Sequence, residues 1–407
     1  MTTTKHVLIS GGGIAGPALA YWLHRHGFAA TVVEKAPAPR DGGHAVDFRG
    51  EVHLSLLRSM GLLEGIERLR TGMGPMTYVD ARGKRLVDSP ADLFSGDVEI
   101  LRGDLAGLLH ERTKPFTEYV FGDSITSLTE DATGVHVTFE RGAPRRFDLV
   151  VGADGIHSGV RRLVFGEEAR FIKHLGLHYA IFTVPNYLGL DHAGRIYTTP
   201  GKLVSYYTAR RNTEARAVFY FAAGELPHAR RDTAAQRAVL REHFAGVGWE
   251  SDELLRRMDQ APELFFDQIA QVKLDSWARG RVVLLGDAAC CASPLSGMGT
   301  GLAMIGAYVL AGELAEAGGD HRTAFARYEA ELREYAEGCQ KSADGVSGFL
   351  VPKSRRMAWL LRQQQRLLPY LPGKKLIAKS VRKTAEAITL KPYAGKPVAP
   401  AGPRLVD

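Results

Sequence analysis

A run of glycines near the N-terminus has the spacing of a turn that binds phosphate. Gly11, Gly13 and Gly16 form the pattern GxGxxG, with Ala15 between the last two. The first glycine permits a tight turn, the second lets the backbone approach a pyrophosphate, and the third lets the following helix lie close to the preceding strand. The N-terminus of that helix offers unpaired N–H groups and a positive dipole end. The pattern therefore predicts a site for dinucleotide phosphates.

An acid follows the glycines at the distance expected for a ribose contact. Glu34 ends the next apolar run, eighteen residues after Gly16, and Lys35 follows it. A carboxylate at this place accepts hydrogen bonds from ribose hydroxyls. The glycines, the helix and the acid together indicate dinucleotide binding much more strongly than GxGxxG does by itself. They do not distinguish NAD from FAD.

The apolar pattern predicts the elements that position these residues. Residues 6–10 and 30–34 are short strand-like runs, and residues 14–26 between them have helical spacing. Strand, helix and strand in this order predict a Rossmann-type start. Weaker helical patterns follow at 51–70, another helix follows Arg102, and four strand-like runs lie between about 118 and 152.

Residues 170–275 have a different character. The alternating runs KLVSYYTAR and ARAVFYFAA lie on either side of a turn-like RRNTE and predict a hairpin in a half-buried sheet. Its aromatic residues could line a pocket, although half of any alternating strand faces the core. The residues concerned are Tyr179, Phe182, Tyr206, Tyr207, Phe219 and Phe221.

A buried parallel-type strand at 281–285 then returns the chain to its first domain. The predicted fold class is α/β, with a Rossmann-type dinucleotide-binding domain, an inserted β-sheet substrate domain and a C-terminal helical segment. The expected boundaries are 1–75, 98–169 and 276–350 for the first domain, 76–97 and 170–275 for the second, and 351–407 for the basic C-terminal segment.

Three further segments carry a family resemblance. They are Arg102 with Leu105, the run DLVVGADGIHSGVRR, and the run RVVLLGDAACCASPLSGMGTGLAM. The chain resembles the flavin-dependent aromatic hydroxylases of the para-hydroxybenzoate hydroxylase fold, including the tetracycline-inactivating monooxygenases. The resemblance covers residues 1 to about 350 and is weakest in the substrate region. The matching positions are Arg102, Asp154, Gly155, Ser158, Arg161, Gly286, Asp287, Pro294, Gly297 and Gly299.

The resemblance implies that FAD is the bound dinucleotide. It places Arg102 against FAD, and it implies a hydrogen bond from Asp287 to the ribityl chain. The glycine-rich turn and helix N-terminus that follow Asp287 would face the pyrimidine side of the flavin. A helix N-terminus there stabilises the negative charge that accumulates on reduction.

The segment PRDGGHAVDFRG adds two positions that match the tetracycline-inactivating subgroup. The resemblance implies that Asp47 contacts the flavin and that Arg40 meets the nicotinamide cofactor. The alternatives are a turn acid and a surface arginine. His44 and His53 flank the same segment, and histidines at such places more often have structural than catalytic roles.

The sequence departs from its relatives near the third segment. Cys290 stands where His is frequent, Met298 where Gln is frequent, and Gly301 where Asn is frequent. Gly306 also replaces an acid. Cys290 and its neighbour Cys291 are expected to be small buried apolar residues under the cofactor rather than a redox pair. These changes leave the FAD-binding pattern intact and alter the hydrogen bonding near the flavin.

The expected function is that of an NAD(P)H-consuming monooxygenase acting on an aromatic or polyketide-like small molecule. NADPH or NADH would reduce FAD transiently, O₂ would add at C4a, and the hydroperoxyflavin would transfer one oxygen atom. Hydroxylation and Baeyer–Villiger insertion both remain open, as does the choice of nicotinamide cofactor. No nucleophilic triad or metal cluster is expected.

Two other activities share this fold. A flavin-dependent dehydrogenase or oxidase that inserts no oxygen has the same FAD fingerprints. A flavin-dependent halogenase would carry WxWxIP, whereas Trp22, Trp249, Trp277 and Trp359 stand alone. The halogenase alternative is therefore disfavoured, and the dehydrogenase alternative stays open.

Composition restricts the remaining classes. The chain has 407 residues, a net charge of +7 and three cysteines, and its first residues lack the apolar core of a signal peptide. A cytoplasmic monomer or homodimer without nucleic acid is expected. The uncharged stretch 288–312 holds Pro294 and several glycines, so no integral membrane span is expected. The basic stretch 353–391 is interpreted as solvated helix faces, with a membrane-surface or partner contact as the alternative.

Overall fold

The computed structural model describes residues 5–40, 42–89, 96–226, 232–367 and 382–393. Its strands are, in chain order, β1 (His6–Ser10), β2 (Ala29–Glu34), β3 (Ala45–Phe48), β4 (Met76–Val79), β5 (Arg85–Ser89), β6 (Val98–Leu101), β7 (Glu118–Phe121), β8 (Ile125–Glu130), β9 (Val135–Phe139), β10 (Arg145–Phe147), β11 (Leu149–Gly152), β12 (Ile172–Pro185), β13 (Gly194–Thr199), β14 (Lys202–Ala209), β15 (Glu214–Ala222), β16 (Leu264–Val272), β17 (Ala278–Arg279) and β18 (Val282–Leu284).

The helices of the described residues alternate with these strands. They are α1 (Ala15–Arg25), α2 (Gly50–Ser59), α3 (Leu63–Leu69), α4 (Arg102–Thr113), α5 (Gly159–Phe165), α6 (Thr233–Phe244), α7 (Ser251–Met258), α8 (Asp287–Cys290), α9 (Gly299–Glu316), α10 (His321–Ser342), α11 (Val346–Leu350) and α12 (Arg355–Leu367).

A six-stranded sheet carries the N-terminal glycine turn. Its order is β17-β18-β11-β1-β2-β7, and every pair except β17–β18 is parallel. Its central strands β1, β11 and β18 are almost continuously apolar and buried, as expected when helices cover both faces of a parallel sheet. The apolar helix α9 packs between α1 and α10. The carboxyl ends of β1, β11 and β18 therefore meet at one edge.

A seven-stranded sheet forms the second large unit. Its order is β16-β12-β15-β14-β13-β4-β5, antiparallel except between β13 and β4. One face packs on α6 and α7 through a core that includes Phe182, Tyr206, Phe219 and Phe221. The other face carries Tyr179, Tyr207 and Val218 and packs against Ala45, Leu295 and Leu350. Alternation along the strands thus divides the predicted aromatic residues between a helix-covered core and the face toward the first sheet.

Two small sheets complete the strands of the described residues: β10-β9-β8, and the pair β3–β6. The second pair is antiparallel and places Asp47 opposite Glu99. It lies beside α3 and the N-terminus of α4, so it connects the segment after β2 to Arg102.

The described C-terminal residues return to the first sheet. α12 packs on β5 and β13. Residues 382–393 then lie against α9, where Lys391 Nζ and Tyr393 Oη lie 2.9 Å and 2.8 Å from Glu313 Oε1. The Glu313 side chain has no solvent exposure. Part of the basic stretch is therefore docked by a buried carboxylate, and residues 388–393 are not helical.

Most predicted elements are confirmed. β1, α1, β2, the β14–β15 hairpin and the parallel strand β18 occur where the sequence predicts them, and the fold class is α/β with a Rossmann-type parallel sheet. The prediction of four strands between 118 and 152 is wrong. The structure has five strands there, β7 to β11, because Asp148 separates the last apolar run into β10 and β11. Within the described residues, no helix has the length and apolarity needed to cross a membrane.

Candidate functional site

The glycine turn at the end of β1 has steric requirements that only glycine meets. Gly11 has a φ of +113°, and a Cβ there would lie 2.4 Å from the Ala153 carbonyl oxygen. A Cβ on Gly16 would lie 2.0 Å from the Gly11 carbonyl oxygen. The first turn of α1 carries no acidic residue and no side-chain cap. Its N-terminal N–H groups therefore remain available to an anion.

Glu34 closes the same turn. Its Oε2 accepts from the Gly12 N–H at 2.7 Å and its Oε1 from the Ala36 N–H at 2.8 Å. Each oxygen retains a lone pair for a further donor. Ala15 packs toward Gly286, whereas Lys35 and Arg40 are exposed beyond β2. The structure thus brings Glu34 and Ala15 to the turn and leaves the two cations at the surface.

Arg102 is the first residue of α4 and extends toward the turn. Its N–H donates to the His44 carbonyl oxygen at 2.9 Å. A Cβ added to Gly13 would lie 3.3 Å from Arg102 Nη2. The guanidinium makes no hydrogen bond or ion pair to any residue that the structure describes. Burial and the charge of Arg102 lower the pKa of His44 to about 4, so His44 is neutral near Arg102.

The second segment, after β11, holds Asp154 in a network of hydrogen bonds. Its carboxylate accepts from the Ser158 hydroxyl and from the Val160 N–H at 3.1 Å, and burial raises its pKa. Ser158 in turn caps α5 by accepting from the Arg161 N–H. Buried Arg161 donates to the Ala288 carbonyl oxygen at 3.0 Å. These residues hold the second and third segments together.

The third segment places Asp287 at the floor of a cleft. Gly286 has a φ of +64°, and Asp287 follows as the first residue of α8. Burial within the protein raises the pKa of Asp287, while the Cys291 thiol and Arg102 oppose the shift. Its side chain is nevertheless exposed to solvent. Because protein surrounds Asp287 and water still reaches its side chain, Asp287 lines an open cleft.

The turn after Asp287 forms the next part of the cleft. Pro294 and Gly297 are exposed between buried neighbours, and Gly297 has a φ of +65°. Helix α9 begins at Gly299, where a Cβ would lie 3.7 Å from Asp287 Oδ1. The N-terminus of α9 therefore faces the same space as Asp287. Cys290 and Cys291 are buried, and burial raises both thiol pKa values, in agreement with the predicted apolar role.

Asp47 belongs to a carboxyl pair that the sequence did not indicate. It accepts from the Gly96 N–H at 2.9 Å and from Arg49 at 3.0 Å. Glu99 lies opposite it and accepts from the Thr71 hydroxyl. Burial and the neighbouring Asp47 raise the pKa of Glu99 to about 8, and burial also raises that of Asp47. The pair therefore retains a proton near neutral pH. The sequence signal for this pair is Glu99 itself, an acid between Val98 and Ile100 in a buried strand.

The loop from Gly42 to Ala45 connects the glycine turn to the seven-stranded sheet. The Gly42 carbonyl oxygen accepts from the Gly103 N–H at 2.9 Å, at the start of α4. On the other side, the Gly43 carbonyl oxygen accepts from Arg216 Nε at 3.2 Å, and the Ala45 N–H donates to Tyr207 Oη at 3.4 Å. Sequence reasoning missed Arg216, which is 1% exposed on β15.

Two tyrosines lie on the facing sheet, and, in addition to burial, Asp287 is close enough to Tyr179 to raise its pKa. Tyr179 and Tyr220 are cross-strand partners, and their rings stack with a centroid distance of 5.7 Å. Neither hydroxyl has a hydrogen-bond partner among the described residues, and neither is an enclosed unpaired atom. Phe265 packs beside Tyr179 at 5.3 Å, and Leu295 of the third segment contacts the same apolar cluster. Burial raises the pKa of Tyr220 to about 12 and that of Tyr179 well above its usual value.

A histidine connects this wall to the second segment. His157 lies 3.2 Å from Glu168 and 3.0 Å from Asp267 of β16, the cross-strand neighbour of Tyr179. His53 has a structural role: its Nδ1 accepts from the Arg49 N–H at 3.1 Å and its Nε2 pairs with the Tyr335 hydroxyl at 3.2 Å. Burial and Arg49 lower the pKa of His53 to about 4.

A separate surface depression of about 590 Å³ lies between β17 and α10 and contains none of these residues. Within the described chain, no cluster of three or more His, Cys, Asp or Glu side chains could hold a metal ion. The candidate site is the space between the carboxyl ends of β1, β11 and β18 and the sheet face that carries Tyr179, because Asp287 is close enough to Tyr179 to raise its pKa beyond the effect of burial. Its groups are a glycine turn, one unpaired guanidinium, a carboxylate at a helix N-terminus, and a tyrosine wall opposite.

The chain is similar to known proteins over most of its length. The family profile described as FAD binding domain matches residues 4–343. An uncharacterized protein of Mycobacterium tuberculosis strain H37Rv is 48% identical over 339 residues, which cover 82% of this chain and 91% of that protein. A flavin-dependent monooxygenase of Legionella longbeachae is 41% identical over 356 residues, covering 86% and 91% of the two chains. The crystal structure of the tetracycline destructase Tet(51) is 36% identical, has a TM-score of 0.85 and covers 96% and 100% of the two chains.

Proposed function

We propose that this chain, which belongs to the FAD-dependent monooxygenases, binds its FAD along the cleft from the glycine turn to the N-terminus of α9. The residues fit this cofactor. Gly11 and Gly16 leave no room for a Cβ, and Gly13 opens toward Arg102. We also propose that the chain divides into an FAD domain, a substrate domain and a C-terminal segment at the boundaries that the sequence predicts.

The phosphates of FAD would lie between α1 and α4. The α1 N-terminus supplies free N–H groups, and Arg102 supplies a guanidinium that no protein acid neutralises within the described chain. Glu34 would accept from the adenosine ribose while it keeps the turn closed. Asp154 would act indirectly, because its hydrogen bonds hold the turn before α5.

Asp287 and α9 would hold the flavin end. The bound flavin supplies electron transfer and the activation of O₂. Asp287 would accept a hydrogen bond from the ribityl chain, since it lies deep in the cleft with an exposed carboxylate. The turn containing Pro294 and Gly297, with the α9 N-terminus at Gly299, would place a positive dipole end at the ring. Asp47 would contact the flavin from strand β3, which pairs with β6.

The reductant would bind transiently from the open side. Lys35 and Arg40 are exposed after β2 and could meet the phosphates of NADPH or NADH. They are candidates for cofactor contacts at the surface rather than inside the cleft. The cytoplasmic location and the monomer or homodimer state remain predictions.

The substrate would lie between the flavin and the tyrosine wall. Its apolar boundary consists of Phe265, Leu295 and Leu350, which suit a planar aromatic or polyketide-like molecule. Tyrosine is protonated at neutral pH, and burial raises the pKa of Tyr179 and Tyr220 further, so both hydroxyls keep their protons into the alkaline range. Both can therefore donate hydrogen bonds to a carbonyl, enolate or phenolate oxygen and fix which carbon faces the flavin.

One observation supports the proposal most directly: Asp287 lies beside the α9 N-terminus and is close enough to Tyr179 of the facing sheet to raise the pKa of that tyrosine beyond the effect of burial. The test is turnover under ¹⁸O₂ with NADPH or NADH and a panel of phenolic and polyketide compounds. The panel includes tetracycline, because the structural relative Tet(51) is named a tetracycline destructase. One ¹⁸O atom in the product for each nicotinamide consumed is expected. Product without ¹⁸O would contradict oxygen insertion and favour the dehydrogenase chemistry.

A further inference from the structure

The segment from Phe349 to Leu360 concentrates exposed apolar side chains. Six large apolar side chains are exposed in the described chain, and four of them lie in this segment: Phe349 at 47%, Met357 at 46%, Trp359 at 56% and Leu360 at 54%. Single exposed apolar residues are ordinary, whereas a cluster marks a contact surface. We call these four residues and their charged neighbours the 349–360 surface.

The 349–360 surface is the outer side of an anchored segment. Ala358 is 3% exposed, and α12 packs against β5 and β13. The Pro352 carbonyl oxygen accepts from the Gly201 N–H at 2.9 Å and fixes the preceding turn on the sheet. Trp359 and Leu360 therefore remain exposed although the helix is already docked. The helix's own packing does not account for them.

The charge of this surface is one-sided. Lys353, Arg355 and Arg356 are exposed, and none of them forms an ion pair with a residue that the structure describes. Along the sequence, residues 353–391 contain eleven Lys and Arg and a single acid, Glu386. Unpaired cations beside tryptophan and leucine suit the boundary of an anionic membrane. They oppose pairing with a second copy, which would bring like charges together.

We propose that the 349–360 surface binds anionic lipid bilayers and holds the enzyme on the membrane face. Trp359 and Leu360 enter the interfacial layer, and Lys353, Arg355 and Arg356 contact lipid phosphates. Binding is peripheral, since no helix among the described residues could cross the bilayer. Leu350 and Val351 of the same segment pack on the wall that carries Tyr179. The substrate cleft therefore lies close to the bilayer in the bound state.

The test uses the full FAD-loaded protein and vesicles of phosphatidylcholine alone or mixed with phosphatidylglycerol. Each cation near an anionic surface strengthens binding roughly fivefold, so affinity for the mixed vesicles should be more than about tenfold higher. The preference should shrink as salt increases. Brominated acyl chains should quench Trp359, because Trp22 and Trp277 are only 4% and 2% exposed and Trp249 is half-buried in the core beside α6 and α7. Equal sedimentation with both vesicle types, or none with either, would overturn the proposal.

Matched variants separate the two contributions. Trp359→Ser with Leu360→Ser should weaken binding to mixed vesicles at least tenfold and abolish quenching, whereas Arg355→Gln with Arg356→Gln should mainly remove the preference for phosphatidylglycerol. Leu69→Ser is the control, because Leu69 is 44% exposed elsewhere. Flavin absorbance reports that each variant is folded. If Trp359→Ser with Leu360→Ser binds vesicles as the wild type does, the bilayer is not the partner. The same conclusion follows if the only property that this double variant loses is a concentration-dependent dimer.

Discussion

Replacing Arg102 with methionine tests the cofactor site most sharply. The guanidinium lies beside Gly13 and forms no ion pair in the described chain, and the Arg102 backbone N–H donates to the His44 carbonyl oxygen at the start of α4. Methionine preserves most of the side-chain length and removes the charge. A hydrogen bond to a charged group contributes about 1.5–3 kcal/mol, so the Kd for FAD should rise about 10- to 150-fold.

The same change should move two pKa values in a known direction. Arg102 lowers the pKa of His44 and that of Asp287, so its loss should raise both. FAD affinity should then fall further as pH decreases, because protonated Asp287 no longer presents a carboxylate to the ribityl chain. The assay is fluorescence titration of the apoprotein with FAD at several pH values and salt concentrations. The salt dependence should also become shallower than in the wild type.

Arg40→Met provides the control, since Arg40 is exposed and lies outside the glycine turn. It should change FAD affinity by less than about threefold, the range expected for an exposed charge. If Arg102→Met also binds FAD within that range and with an unchanged salt dependence, the phosphates do not lie beside Gly13. The placement of the cofactor would then be wrong, although membership of the family would stand.

Four further expectations follow. Asp287→Ala should fold yet purify without flavin colour, and normal FAD occupancy would contradict its placement. Tyr179→Phe and Tyr220→Phe should each raise the substrate KM about tenfold with unchanged FAD content, since each removes one donor. His53 has a pKa of about 4 in the folded protein and an ordinary pKa of 6.5. Its contribution to stability is therefore present above pH 6.5 and should fall by about 2 kcal/mol between pH 7 and pH 5, as measured by urea titration. His53→Gln should remove this pH dependence. Glu313→Ala should lower the free energy of unfolding by about 1–2 kcal/mol, because it removes the Tyr393 hydrogen bond and an ion pair whose Lys391 is half-exposed; urea titration measures the change, and protease sensitivity of the tail should increase.

Local sterics and patterning explain what the sequence could predict. Gly11 and Gly16 are fixed by backbone contacts within one strand, turn and helix, so their spacing carries the information by itself. The parallel strands are recognisable because both faces are covered and the runs stay apolar. The position of Asp287 at a helix start similarly follows from the short segment between β18 and α8.

Contacts between distant segments explain what could not be predicted. Glu99 meets Asp47 only because β6 pairs with β3, and Arg216 reaches Gly43 from 173 positions away. The docking of residues 382–393 on Glu313 has no local signal either, since the basic composition is equally typical of a solvated helix.

The Gly42–Ala45 loop suggests how the two halves of the cleft keep their distance. Its Gly42 and His44 carbonyl oxygens are held by the first residues of α4, while Gly43 and Ala45 are held by Arg216 and Tyr207 of the facing sheet. The loop thus fixes Arg102 and the tyrosine wall to one short segment. Flavin and substrate must approach within reacting distance, and a rigid loop shared by both walls is a physical way to set that separation.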